Sequence, residues 1–433
     1  MKGSLILMFT AALLVPLTVS GQVGWTEHTI ATGFSGAISV YAIDVDADTD
    51  IDVIGAAWNA SEISWWENDG SENFSKHVVA DNVAGVIFVY AADLDDDSDI
   101  DILGTANSGD DIVWWENDSM ENFTAHTITD DFDGVHSVYV YDLDGDTDQD
   151  ILAAAYNADD ICWWENDGDE NFTKHIIADN FDGAWTAYPV NLDGDSDFDV
   201  VGAARDANEI CWWENDGSQN FTVHLVDDSF SGAHIVCAAD LDSDGDVDIL
   251  GTARTGDEIA WWENDGSENF AKHTITSDYD WPTFVQAVDV NADNEIDLVS
   301  AAYNANRISW WENDGSENFA EHTIDDNFTG AIPVQAIDLD GDTDVDVVSA
   351  AYGLNSLAWW ESDFIGIEEE DTGYLPGTKC SSTFVSSAQQ LNDYKDRRIF
   401  DVSGRELGYT SMQPGVYFIE DKGKIADKII VIK

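Results

Sequence analysis

The sequence predicts an all-β chain: a seven-bladed β-propeller followed by a small C-terminal β module. Three observations carry that expectation. An acidic run of nine residues, typified by Asp142-Leu-Asp-Gly-Asp-Thr-Asp-Gln-Asp150, returns with its first residue at 44, 93, 142, 191, 240, 289 and 338, a step of 49 throughout. A Trp-Trp pair returns seven times with the same step, from Trp65 to Trp359. Around these two marks each complete copy carries four short apolar, β-rich runs separated by turn residues. Four strands per period of just under 50 residues is the pattern of a propeller blade, a sheet that buries its faces only by stacking on neighbouring copies.

The elements follow in order. Residues 1–21 hold one lysine, the apolar run Leu5–Val19 and then small residues, which reads as a secretory signal peptide. Residues 22–365 hold the repeats. In the third copy His136–Tyr141 is the inner strand, the acidic loop follows, and Ile151–Ala155 and Ile161–Glu165 are the second and third strands. Asn166-Asp-Gly168 is a hairpin turn and Phe172–Ile177 the fourth strand. The last Trp-Trp pair has no fourth strand after it, because Asp371 stands where the frame requires a histidine. The first outer-strand histidine, His28, precedes the first acidic loop. Thr26–Ile30 is therefore expected to complete the seventh blade and close the ring, which leaves no unpaired strand edge. Residues 366–390, with Glu368–Asp371 and Leu375-Pro-Gly377, read as a linker, and 391–433 as a separate module with strands at Arg398–Val402, Gly415–Glu420 and Lys428–Ile432.

The formal charge is −72, yet 44% of the residues are apolar and 12% aromatic, enough for a folded core. Such a charge repels nucleic acid and anionic membranes and favours solubility and a bound cation. Cys162 and Cys211 share one repeat position, with Cys237 in another copy and Cys380 beyond the repeats. That is neither a disulfide framework nor a zinc spacing, and all four read as free thiols.

The acidic loops carry the first candidate chemistry. Their alternate residues are Asp44, Asp46, Asp48, Asp50 and Asp52 in the first copy, and Asp93, Asp95, Asp97, Asp99 and Asp101 in the second. The third copy has Asp142, Asp144, Asp146, Asp148 and Asp150, and the fourth Asn191, Asp193, Asp195, Asp197 and Asp199. Asp240, Asp242, Asp244, Asp246 and Asp248 follow, then Asp289, Asn291, Asp293, Glu295 and Asp297, then Asp338, Asp340, Asp342, Asp344 and Asp346. Side-chain oxygens at positions one, three, five and nine, with the carbonyl of position seven, can wrap one hard cation, which takes six to eight oxygens. With no cation, each pair of carboxylates at about 4 Å repels by on the order of 4 kcal/mol at an effective dielectric of 20.

With these loops and the Trp-Trp-Glu-Asn-Asp-Gly turns, residues 23–365 resemble the FG-GAP/VCBS repeat family, which includes the integrin alpha-subunit propeller and many secreted bacterial proteins. The resemblance implies calcium in the loop between the first and second strands of each blade, up to seven ions. The family's glycine at loop position six is present only as Gly245; the other copies hold Thr49, Ser98, Thr147, Ser196, Asn294 and Thr343. The tail, Ile399-Phe-Asp-Val-Ser-Gly-Arg405 with Pro414-Gly-Val-Tyr-Phe418 and Lys428-Ile-Ile-Val431, is similar to the C-terminal sorting domain of the type IX (Por) secretion system. That implies export through this machinery.

Residues repeated in every copy build the fold. The Trp-Trp pairs are expected to fill the layers between blades, since neighbours in a strand face opposite ways. The outer-strand histidines diverge from blade to blade and are expected to be structural. A function particular to this chain belongs where the copies differ. One such frame is the first part of the inner strand: Ile38, Ile87, His136, Trp185, His234, Thr283 and Ile332. The other follows the second strand: Trp58, Asn107, Tyr156, Arg205, Arg254, Tyr303 and Tyr352. Both fall on the face opposite the acidic loops. His136, Trp185, His234, Arg205, Arg254 and Tyr156 are the expected ligand site, with arginine offering a planar fork to an anion and Trp185 an apolar face. The expected function is a secreted or cell-surface, monomeric binding or adhesion module for an extracellular protein or glycan. The alternatives are a polysaccharide lyase or hydrolase using His136 or His234 beside Arg205, and a structural scaffold. Gly-x-Ser-x-Gly, His-Glu-x-x-His and phosphate-loop motifs are absent from the sequence.

Overall fold

The structure, a computed structural model, describes residues 23–364 and the segments 382–385, 398–401, 406–407, 415–421 and 424–431. The leader read at 1–21 and Cys380 lie outside these residues. The chain divides into two compact units, Met1–Ile367 and Glu368–Lys433.

The first unit is a ring of seven four-stranded antiparallel sheets. The first blade is Ala37–Ile43, Asp52–Ala57, Glu62–Asn68 and Phe74–Asp81, from inner to outer strand. The next five repeat it in step. The seventh takes Ala331–Ile337, Asp346–Ala351 and Ser356–Phe364 from the end of the ring and Val23–Thr32 from its beginning. His28 lies opposite Trp359 and Thr26 opposite Glu361 in that antiparallel pairing, so the expected clasp is present and extends beyond Thr26–Ile30 at both ends.

Packing explains the repeated residues. Every second strand is buried along its whole length, as a strand sandwiched between two blades must be. Its small residues admit the indoles: a Cβ on Gly202 would come within 2.7 Å of Trp213 Cζ3. All fourteen paired tryptophans are at most 5% exposed. They fill alternate layers. Trp65 shares one core cluster with Trp115, Trp114 with Trp164, and so on to Trp359 with Trp66. Seven such clusters occupy the seven interfaces, and the last joins blade seven to blade one.

The outer-strand histidines are tied within their own blades. His175 stacks on Trp163 at 4.6 Å and its Nε2 lies 2.6 Å from Glu165, and the other six copies repeat both contacts. Cys162, Cys211 and Cys237 are free thiols.

The second unit holds one five-stranded sheet in the order Ser382–Val385, Lys424–Val431, Gly415–Asp421, Arg398–Asp401, Glu406–Leu407. Its first pairing is parallel and the others antiparallel. Ser382–Val385 falls in the stretch read as linker; its Thr-Phe-Val core is β-prone and pairs with the last strand.

Candidate functional site

Each acidic loop joins an inner strand to a second strand, so all seven lie at one end of the ring. The loop is held by its own carboxylates. Asp44 Oδ2 accepts the Thr49 N–H at 3.0 Å, Asp46 accepts the Asp48 N–H, and Asp48 accepts the Asp50 N–H. The ninth residue is different: Asp52 is fully buried, its Oδ2 accepting the Val45 N–H at 2.9 Å and its Oδ1 the Asn68 N–H at 2.8 Å. Asp101, Asp150, Asp199, Asp248, Asp297 and Asp346 repeat this bracket. In the five copies that have an Asn-Asp-Gly hairpin the position-seven carboxylate lies against its glycine, where a Cβ on Gly70 would come within 2.4 Å of Asp50 Oδ2.

Position six adopts a left-handed backbone in every copy, from φ 71° at Asn294 to 101° at Gly245. The turn therefore keeps its shape where glycine is replaced, at a strain of about 1–3 kcal/mol for each replacement. The carboxylate of position one holds it there by accepting the position-six N–H in six copies. Asn191 in the fourth copy accepts only the Gly194 N–H.

The donor set fits a hard cation. Oxygens of Asp44, Asp46 and Asp48 lie within 4.8 Å of one another, as do those of Asp93, Asp95 and Asp97, of Asp142, Asp144 and Asp146, and of Asp240, Asp242 and Asp248. Burial pushes the ninth carboxylate up to about 7 in six loops and to about 6 at Asp199. Burial, with like charge at positions one and five, also raises Asp46, Asp95, Asp144, Asp242 and Asp340, and burial with the charge of Asp195 raises Asp193, whose position-one neighbour is the neutral Asn191. A bound cation would offset both costs.

The opposite end of the ring holds a cup of ≈ 390 Å³. All seven residues of the inner-strand frame line it, from Ile38 round to Ile332, with Trp58, Arg254, Tyr303 and Tyr352 of the second frame. Trp185 sits between two histidines, stacked on His136 at 3.7 Å and tilted against His234 at 4.7 Å. Arg205 stands 5.0 Å from the Trp185 ring and 5.3 Å from Tyr156, at the rim rather than in the lining. Arg254 lies 5.7 Å from Trp185. Tyr156 donates to Asp206 at 2.8 Å and Asp257 accepts the Trp281 N–H, and neither acid is within ion-pair distance of an arginine among the described residues. Burial first, then the two guanidiniums, lowers His136 to about 3 and His234 well below the usual imidazole range. Both imidazoles are neutral at physiological pH. Buried His234 Nδ1, Arg254 Nε and Trp281 Nε1 have no hydrogen-bond partner among the described residues.

Two features were missed in the sequence. Trp281 replaces the glycine that six copies hold at φ 69° to 75°, and adopts φ 62° itself. A bulky residue in that region is strained, and this one brings its ring to 4.1 Å from the Arg254 guanidinium. The break from Gly to Trp at one frame was the available signal. Deeper in the channel a second cavity of ≈ 310 Å³ is lined by Tyr41, Tyr90, Tyr139 and Tyr188, another frame legible at the same step.

The FG-GAP-like repeat profile matches residues 93–153, 142–202, 191–251, 240–300 and 289–349, each window opening on the first residue of an acidic loop. The chain belongs to the FG-GAP-like repeat family. No curated protein matches this FG-GAP-like chain in sequence. Among solved structures it is similar to a streptogramin B lyase, at 15% identity and TM-score 0.57 over 79% of this chain and 98% of that one. A catalytically inactive virginiamycin B lyase from Staphylococcus aureus with quinupristin aligns at 15% identity and TM-score 0.57, over 78% and 99%. BBS1N in complex with ARL6DN aligns at 12% identity and TM-score 0.53, over 78% and 96%. At such identities the likeness is one of fold.

Proposed function

We propose that this FG-GAP-like propeller is a secreted or cell-surface binding module whose cup takes an anionic group of an extracellular protein or glycan. The observation that carries this reading is the state of Arg205 and Arg254. In a chain of charge −72, Lys76, Lys272 and Arg307 are ion-paired and Lys174 lies over the Phe132 ring, whereas Arg254 lines the cup and Arg205 stands at its rim with no carboxylate in ion-pair reach among the described residues. Trp185 and Trp281 supply flat apolar faces beside them, the combination that suits a carboxylate or sulfate on a sugar or aromatic ring.

Calcium belongs to the proposal as the stabiliser of the opposite face. Positions one, three, five and nine of each loop would hold it, and its charge would offset the repulsion among them. Export through the leader, sorting through the tail and a monomeric state complete the reading. The fold also admits an enzyme, since solved neighbours include a lyase. Burial and the two guanidiniums lower both His136 and His234, a shift away from the pKa near the working pH that an efficient acid–base group has, which favours the binding reading.

A glycan and extracellular-matrix array, run with calcium and with chelator, tests the proposal. Binding to acidic glycans or acidic protein segments that Arg205→Ala with Arg254→Ala abolishes is the expected result. Binding unchanged in that folded double variant would move the site elsewhere. Release of unsaturated uronate products, read by their ultraviolet absorbance, would replace binding with lyase chemistry.

A further inference from the structure

Three blades carry an outer-strand lysine whose ammonium caps a Phe–Trp pair at the edge of the ring. Lys76 Nζ lies 5.1 Å from the Phe34 ring and 5.6 Å from Trp66. Lys174 lies 4.5 and 5.4 Å from Phe132 and Trp164, and Lys272 4.6 and 5.6 Å from Phe230 and Trp262. Each ring pair meets edge to face, 4.9 to 5.1 Å between centroids. An acid at the start of the third strand accompanies the lysine: Glu62 pairs with Lys76, Glu258 with Lys272 at 3.2 Å, and Asp160 holds the same frame beside Lys174. Blade six keeps the pair with its signs exchanged, Arg307 in the acid's frame and Glu321 in the lysine's, 2.9 Å apart.

Blade four has every part of this arrangement except the ammonium. Phe181 and Trp213 meet edge to face at 5.0 Å and 88°. Glu209 holds the acid's frame, and its carboxylate has no hydrogen bond or ion pair among the described residues. The lysine's frame holds Val223, 59% exposed. A cavity of ≈ 280 Å³ opens there, lined by Phe181, Glu209, Cys211, Trp213 and Val223, with Asp179 beside them. Its floor is uncovered to match: Cys211 is 5% exposed, whereas Ser64, Cys162 and Ala260 in the same frame of the lysine-bearing blades are fully buried.

We infer that this groove binds an alkylammonium group, seated as Lys76, Lys174 and Lys272 are seated in their own blades. The alkyl stem covers the apolar floor, the rings attract the cation through their electron-rich faces, and Glu209 supplies the counter-charge. Blade two is the internal comparison. Ala125 replaces its lysine, but Val83 replaces its phenylalanine, so the aromatic pair is gone. The groove lies between the outer parts of blades three and four, apart from the central cup, and does not depend on the function proposed for it.

The test is a titration of the full chain, in saturating calcium, with n-pentylammonium, followed by the methyl resonances of Ile177, which lines the groove. A saturable shift with a dissociation constant on the order of millimolar is expected, and n-pentanol should give none. Val223→Lys should abolish the shift by filling the groove from within, and Glu209→Gln should weaken it several-fold. Lys174→Ala should open a second saturable site in blade three. Cadaverine and a blocked Gly-Lys-Gly peptide separate a small amine from a polypeptide lysine as the source, and binding of either sustains the assignment. A shift that does not saturate, or one that Val223→Lys leaves unchanged, overturns it.

Discussion

Removing residues 23–32 deletes the outer strand of blade seven and nothing else of the ring. The strand pairs with Ser356–Phe364 over nine residue pairs, Val23 opposite Phe364 to Thr32 opposite Ser356. An antiparallel ladder of that length holds roughly eight backbone hydrogen bonds. At about 0.5–1.5 kcal/mol net each, they contribute on the order of 4–12 kcal/mol. His28 adds its stack on Trp359 at 4.6 Å and its bond to Glu361 at 2.9 Å. Domains are stable by only about 5–15 kcal/mol, so the loss is comparable with the whole margin. The truncated chain should unfold at a much lower urea concentration, in a broadened transition followed by tryptophan fluorescence, and a synthetic peptide of residues 22–34 should restore the midpoint in trans. An unchanged midpoint and slope would refute the view that the first strand clasps the ring.

Trp281→Gly restores the residue of the other six copies, so the strain released and the lost contact with Arg254 should nearly cancel in the melting temperature while ligand binding falls tenfold or more; a large drop in stability with binding intact would make Trp281 structural. Calcium-free, the buried ninth-position carboxylates hold protons more tightly folded than unfolded, so stability should fall as pH rises from about 4 through about 7. Calcium favours the ionised form, so its increase of the melting temperature should be larger at pH 7.5 than at pH 5, and equal increases would argue against ions at these sites. Asn191→Asp supplies a charge and an acceptor for the Ser196 N–H, and should tighten calcium binding by the fourth loop several-fold in calorimetric titration. Thr147→Gly removes a β-branched residue at φ 87° and should raise the urea midpoint by the equivalent of about 1 kcal/mol.

The ring was legible because its determinants repeat. The step of 49 fixed the blade count, and the missing strand after Trp359 fixed the closure. The cup was legible for the converse reason: His136, Trp185 and His234 break an aliphatic frame, and the topology brings that frame to one mouth. Trp281 was harder to find because it occupies a glycine position, where a side chain reaching the cup is not anticipated. The pairing of Glu165 with His175 and the bracket on Asp150 connect different strands, so they depend on register and not on spacing alone. Nothing in the loop sequence announces that Thr147 takes the backbone shape of glycine; that follows from the hydrogen bond to Asp142.

The cup also bears on how such a chain changes over time. Its wall takes one residue per blade from the inner-strand frame, with Trp58, Arg254, Tyr303 and Tyr352 of the second frame, and none of the seven is itself a paired tryptophan or an acidic-loop residue. They are not equally free of the scaffold: the buried Thr283 donates its hydroxyl to the Ile332 carbonyl at 2.8 Å, and Ile38 packs against the layer that holds Trp65 and Trp115. The mouth of the ring is thus a circular array with one position per blade, in which His136, Trp185 and His234 stack on one another and change as a group. Duplicating or recombining whole 49-residue units would carry a cup position and a loop together, in register. A randomised library confined to positions 87, 136, 185, 234 and 332 would vary the cup while keeping the ties of Thr283 and Ile38 to the scaffold.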